Sequence, residues 1–399
     1  MKALRQTILF LALLLPATLL QAQTPDYLGD CRKALDEGNC KKAETLYKLA
    51  HKKDKEIERR IVECKSYTDI LLSASKDGKT GFVDVHGRFV IKPRFSIAMD
   101  FVEDLAAVME GDWETGKWGF IDKTGAYVIN PQFDFVFSFS EGLACFEVNG
   151  KWGFIDKKGK FVVSPQFDIV DSFSEGLAAV GVGSGDFFVN LEFPESSDGV
   201  KWGFIDKTGR YVINSRFDYA GCFSEGLAAV KVGEKWGYID KKGKIVINPL
   251  YDWAGSFTEG LAAVMEGDWG TGKLGFVDKG GTYVTKSRFD QVGGFAEGLA
   301  AVMVGEKWGY INKKGEYVIK PMFDWAVEFS EGLACVRIGD YDTGKWGFID
   351  KTGKMVIKPL FFQDAYFRNG LAYVWMDEGF GYVNKKGEVI WMEPDIIKP

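Results

Sequence analysis

The sequence predicts a mainly β protein. Nine three-stranded repeats form an open superhelical array, with a closed propeller-like ring as the alternative, and a short α-helical cap precedes them. Three observations carry this reading. A core of Gly, an aromatic residue, Ile or Val, and Asp or Asn begins at Gly81, Gly119, Gly153, Gly203, Gly237, Gly275, Gly309, Gly347 and Gly381, with spacings of 38, 34, 50, 34, 38, 34, 38 and 34. Each copy is framed by hairpin signals. Residues 26–72 lack this pattern and show helical spacing instead.

The elements follow in chain order. Lys2 and Arg5 precede an apolar run from Ile8 to Leu20 and then Gln21-Ala22-Gln23. A charged start, a short apolar stretch and a small residue describe a signal peptide over residues 1–22. The run contains Pro16 and falls short of the ~20 apolar residues a spanning helix needs. The expected destination is therefore outside the cytoplasm: periplasm, outer-membrane surface or medium. Residues 24–75 form the helical cap, with helices expected at 26–36, 41–51 and 55–72. Small residues Ala43 and Ala50 sit where helices pack closely. The β domain occupies residues 76–399.

One β unit shows the grammar. Trp152 to Asp156 is a strand, and Lys157-Lys158-Gly159 is a tight loop with Gly where positive φ is wanted. Phe161 to Val163 is a second strand. A Pro-containing excursion through Pro165 and a Ser174-Glu175-Gly176 turn lead to a third strand from Leu177. Apolar residues alternate with apolar residues, so both faces of each sheet need a cover, most simply the units before and after. The first unit supplies all three strands and the last only two, which favours the open array over the ring.

The run Lys151-Trp152-Gly153-Phe154-Ile155-Asp156 resembles the WG-repeat family of bacterial proteins. The match covers roughly residues 76–392. Six units keep Lys-Trp-Gly, at Trp118, Trp152, Trp202, Trp236, Trp308 and Trp346, and three place Thr80, Leu274 and Phe380 at the Trp position. The resemblance implies no defined activity. Gly38-Asn39-Cys40, Ala43, Tyr47 and Ala50 similarly resemble the middle of a tetratricopeptide repeat, too short for a peptide groove.

Composition narrows the chemistry. Residues 76–399 carry 37 Lys/Arg against 46 Asp/Glu, an acidic body that argues against nucleic acid. Only His51 and His86 are present, so a His-rich metal site is excluded, and no cofactor is expected. Among Cys31, Cys40 and Cys64, two are expected to pair in an oxidising compartment. Cys145, Cys222 and Cys335 read as small buried apolar residues. The recurring carboxylates, such as Asp156, Asp168 and Glu175, read as turn caps, because a catalytic pair is needed once and not in every unit.

Non-repeated aromatics are the binding candidates. Trp113, Trp269 and Tyr341 lie in the long hairpins Gly-Asp-Trp/Tyr-x-Thr-Gly of alternate units, and Phe187 and Phe188 lie in the insertion 181–200. Exposed rings on loops suit protein or sugar contacts. In an open array with two units per superhelical turn the long loops align as one strip; in a ring they are spread at every second position. The functional expectation is an exported, non-catalytic scaffold for a protein or cell-envelope glycan. A structural spacer and, less favoured, a carboxylate hydrolase are the alternatives.

Overall fold

The computed structural model describes residues 26–36, 40–50, 53–68, 70–183, 199–268 and 270–393. The chain divides into two compact units, with the boundary between Asp69 and Ile70. Residues 1–22, expected to form a signal peptide, lie outside the described residues.

The first unit contains α1 (Tyr27–Asp36), α2 (Cys40–Leu49) and α3 (Lys55–Thr68). Asp26 begins α1 by accepting the Gly29 N–H at 2.9 Å, and Asp54 begins α3 by accepting the N–H groups of Glu56 and Ile57. Ala43 packs without exposure among Cys31, Ala34, Leu35, Ile57 and Ile61.

The second unit is a ring of nine small antiparallel sheets, and the open array is overturned. Sheet one (residues 72–95) meets sheet nine (residues 371–392) face to face. Leu72, Ala74 and Val83 share a core with Leu371, Tyr382 and Trp391. The Tyr382 hydroxyl donates to the Ser73 carbonyl at 3.0 Å across the closure. The sequence argument failed because it required one sheet to be shared between the two ends. The ring closes instead by packing the face of one incomplete sheet on another.

The sheets also group the strands differently from the expected units. Sheet four contains Ile169–Val170, Leu177–Val182, Lys201–Asp206 and Tyr211–Phe217, in that order. The strand beginning at Leu177 thus pairs with the next Trp-Gly strand. A short strand, two residues long in most sheets and six in sheet seven (Gln291–Ala296), makes a fourth member of sheets two to eight; among the described residues sheets one and nine have three. The Pro-containing excursion is itself strand: Phe161–Phe167 runs through Pro165 and pairs Trp152 with Phe167 and Phe154 with Val163. The extra residues form a bulge, where Pro costs no ladder bond.

That bulge explains the motif Gly. The space beside it is taken by backbone: a Cβ on Gly237 would lie 2.5 Å from the Ile247 carbonyl oxygen and 2.7 Å from the Pro249 nitrogen. The motif Trp then lies under the next sheet. Trp118, Trp202, Trp236, Trp308 and Trp346 are buried and Trp152 half-buried. Between sheets five and six, Trp236, Tyr238 and Ile247 pack on Phe257, Val264 and Val277.

Candidate functional site

The recurring carboxylates hold the frame. Asp122, Asp156, Asp206, Asp240, Asp278 and Asp350 each accept the N–H groups two and four residues on, and Asn312 and Asn384 do the same through the amide oxygen. The Asp between successive sheets, such as Asp252, takes Lys235 on one oxygen and the Gly267 N–H on the other. The Lys235 contact, with the Gly267 N–H behind it, holds the Asp252 carboxyl below its ordinary range.

The Glu of each Ser-Glu-Gly turn links one sheet to the next. Glu259, at φ 52°, sits with Gly260, at φ 90°, in a two-residue turn, where Asn-Gly would be the undemanding choice. The Glu side chain explains the departure. Glu259 accepts the Gly298 N–H at 3.0 Å and pairs with Lys313 at 2.9 Å, both in sheet seven. Six more such links run from Glu103 to Glu331. Asp104, in the Gly place of the first turn, has φ 71°, a conformation that Asp tolerates better than most residues.

Of the three cysteines expected to be buried, Cys145 and Cys335 are, whereas Cys222 is only partly buried. Burial pushes the Cys145 and Cys335 thiols up to about 12, which makes them poor nucleophiles. Cys31 is a free thiol that donates to the Ala43 carbonyl at 3.2 Å. The side chains of Cys40 and Cys64 lie outside the described residues. His86 is an exposed turn residue. Among the described residues, no group of three His, Cys, Asp or Glu side chains could hold a metal ion.

The hairpin aromatics remain. Trp113 is 77% exposed and Tyr341 85%. Their loops are nevertheless fixed. Asp112 accepts from the Glu114 and Thr115 N–H groups and from the Thr115 hydroxyl; Asp340 accepts the Thr343 N–H and hydroxyl at 2.7 Å each. Each ring is therefore carried on a small hydrogen-bonded turn. Trp269, Phe187 and Phe188 lie outside the described residues.

Tyr341 has company that the sequence reading missed. The Arg337 guanidinium lies 5.5 Å from the Tyr341 ring, 5.9 Å from Trp325 and 5.7 Å from Trp346. Its Nε is buried with no hydrogen-bond partner. Lys307, then Arg337 more weakly, keeps the adjacent Asp324 ionised and its carboxyl below the ordinary range. A signal was available: other units place Met109, Glu147, Gly181, Lys231, Met265 or Met303 where this one has Arg337. The arrangement is a cation between aromatic faces with an unspent donor, suited to a ligand that is both flat and polar.

The long hairpins belong to sheets two, four, six and eight. Ring closure spaces them around one face at every second sheet, so they do not merge into a single strip.

Comparison with known proteins gives the following. The sequence profile of the WG containing repeat matches residues 81–112, 118–152, 152–184, 202–236, 236–268, 275–308, 308–341 and 346–377. No curated protein matches. Among solved structures, the chain is similar to Pyrococcus horikoshii acylaminoacyl peptidase at 10% identity, covering 72% of this chain and 52% of that one with a TM-score of 0.39. It is also similar to Kluyveromyces lactis Hsv2 at 9% identity, covering 62% and 87% with a TM-score of 0.35. The chain thus spans about half the length of the peptidase.

Proposed function

The chain belongs to the WG containing repeat family, and from that premise we propose that the ring is an exported, non-catalytic scaffold. It takes hold of a protein or an envelope glycan through aromatic side chains on the hairpins of alternate sheets. The observation that carries the reading is the pairing of high exposure with a fixed support at Trp113 and Tyr341. An apolar ring in water on a pre-ordered turn gives up little conformational freedom on binding. Arg337 and Trp325 extend the surface at Tyr341. Engagement of the recurring carboxylates in frame contacts supports a binding role over hydrolysis.

The test is the triple variant Trp113→Ala, Trp269→Ala and Tyr341→Ala in a capture assay from a native envelope extract. Capture at wild-type folding should be weakened. Unchanged capture removes the reading and leaves the spacer.

A further inference from the structure

The cluster around Arg337 can do more than enlarge an aromatic surface. Resting on the binding role proposed for the hairpin rings, we infer that it is a subsite for one neutral hexopyranose unit of a glycan. The C–H face of the sugar lies on a ring, and its hydroxyls lie between the Arg337 guanidinium and the Asp340 carboxylate.

The cluster is built before a ligand arrives. Arg337 pairs with Trp325 on one side and Trp346 on the other, so the three side chains form one row across sheet eight. Trp346 is the floor, 7% exposed. Trp325 is 39% exposed, and its ring rests against Trp308 at 5.4 Å. Tyr341 enters from the hairpin, with one face toward the guanidinium and most of its surface in water. Two accessible rings thus flank a cation, both held on ordered backbone, which lowers the cost of binding.

The polar groups are open in both senses. Among the described residues the guanidinium makes no hydrogen bond and no ion pair, and its Nε is buried without a partner. A guanidinium only donates. Asp340 supplies the opposite: Oδ1 accepts the Thr343 N–H and hydroxyl, which leaves the lone pairs of Oδ2. Thr343 chiefly, with Arg337 as a weaker contributor, holds the Asp340 carboxyl below its ordinary range. The two charges therefore lie near each other with a gap between them. A hydroxyl suits that gap, because one group then accepts from the cation and donates to the carboxylate.

Charge selects against ions. Lys307 is already paired with Asp324, and Asp340 and Asp342 flank Tyr341 in the chain. An anion drawn to Arg337 meets these carboxylates, and a cation drawn to them meets Arg337. The surroundings also differ from a protein hot spot, which centres on a desolvated apolar patch. Here the centre is a cation, and the exposed ring is framed by Gly339, Asp340, Asp342 and Thr343. A pyranose matches this frame, with apolar C–H faces and a rim of hydroxyls.

The Trp113 hairpin is the internal comparison. Asp112 accepts from Thr115 as Asp340 does from Thr343, so ring and acceptor are both present. The cation is not: Met109 stands in the place of Arg337, opposite Trp118, and is buried. The donor that completes the subsite belongs to sheet eight.

Electrophoresis of the full chain through native gels containing glycogen, hydroxyethylcellulose or galactomannan tests this, with alginate as the anionic counterpart. The expected result is retardation in at least one neutral gel and none in alginate. Arg337→Met installs the side chain that sheet two buries at this place. It should raise the apparent dissociation constant about tenfold, as for a lost hydrogen bond from a charged donor. Tyr341→Ala should act likewise and is read alone should Arg337→Met lose its fold. Trp113→Ala should do less than either. No retardation in any neutral gel overturns the inference. So do retardation in alginate, neutral binding that survives both sheet-eight variants, and a Trp113→Ala effect as large as theirs. The envelope capture assay separates this failure from that of the binding role. Capture that depends on the three hairpin rings, without neutral-glycan binding, removes the hexose and keeps the surface.

Discussion

Two junctions of the ring show what repetition secures and what it leaves open. Between sheets five and six, every device of the repeat is present. Trp236 is covered, Glu225 accepts the Gly260 N–H and pairs with Lys279, and the Ser224 hydroxyl donates to the Phe257 carbonyl at 2.6 Å. Between sheets nine and one, none of them is. Phe380 replaces Trp, Asn369 replaces the Glu, and Arg368 replaces the Ser. The contacts there are of another kind: the Tyr382–Ser73 hydrogen bond, an edge-on pair of Phe89 and Trp391, and Arg368 3.8 Å from Asp100, which also accepts the Ser73 hydroxyl. A repeat can propagate only contacts between equivalent neighbours. Where the chain ends meet, the neighbours are not equivalent, and large rings fill the mismatch.

The largest expected effect contrasts the two junctions directly. Trp308→Ala empties a covered site and should cost about 4 kcal/mol in urea unfolding, as for a buried large aromatic. Phe380→Ala removes a half-covered ring and should cost about half as much by the same reasoning. Equal losses would show the closure to be packed as tightly as the internal junctions.

The next effect belongs to the bulge. Gly237→Ala pushes a methyl group against the Ile247 carbonyl and should cost about 3 kcal/mol, with Gly381→Ala comparable because its Cβ would lie 2.4 Å from the Trp391 carbonyl oxygen. Thermal melts of the two variants check this. A mild effect at either position would mean that the strand carrying the carbonyl can shift.

A smaller effect tests the linking carboxylates. Glu259→Gln keeps an acceptor for the Gly298 N–H and loses the Lys313 pairing, an exposed ion pair of about 0.5 kcal/mol. Lys313 is also the leading cause that holds the Glu259 carboxyl below its ordinary value of 4.5. A carboxylate depressed in the folded state contributes stability that is full above its unfolded pKa and is lost as pH falls through the folded one. Wild-type melting temperature should therefore decline below about pH 4.5, and the Gln variant should decline less. Parallel pH profiles would detach the link from stability.

The smallest effect is the control for binding. Trp113→Ala and Tyr341→Ala should each change unfolding free energy by less than about 0.5 kcal/mol, as exposed positions do. A larger loss at Tyr341 would mean that its ring serves as a cover for Arg337, not as a free contact.

The sequence by itself determined the repeating unit. Nine Gly-aromatic-Ile/Val cores, hairpins with Gly at positive φ, and capping Asp residues exchangeable with Asn were all legible. Each depends on contacts within a unit or between identical neighbours, so each is written into the local pattern. Trp113 and Tyr341 were legible because they break that pattern. What only the tertiary structure decided was whatever depends on the accumulated rotation between sheets, which no local residue encodes. That rotation closes nine sheets into a ring, spreads the long hairpins around it, and sets Tyr382 against Ser73. It also took folding to set Arg337 among Trp325, Tyr341 and Trp346, because those residues converge from two strands and a hairpin whose registers only the pairing defines. The motif Gly shows the boundary most sharply. Sequence marked it as the invariant start of each core, but that a side chain there would meet the backbone of a bulged partner strand follows only from the pairing of Trp236 with Tyr251 and of Tyr238 with Ile247.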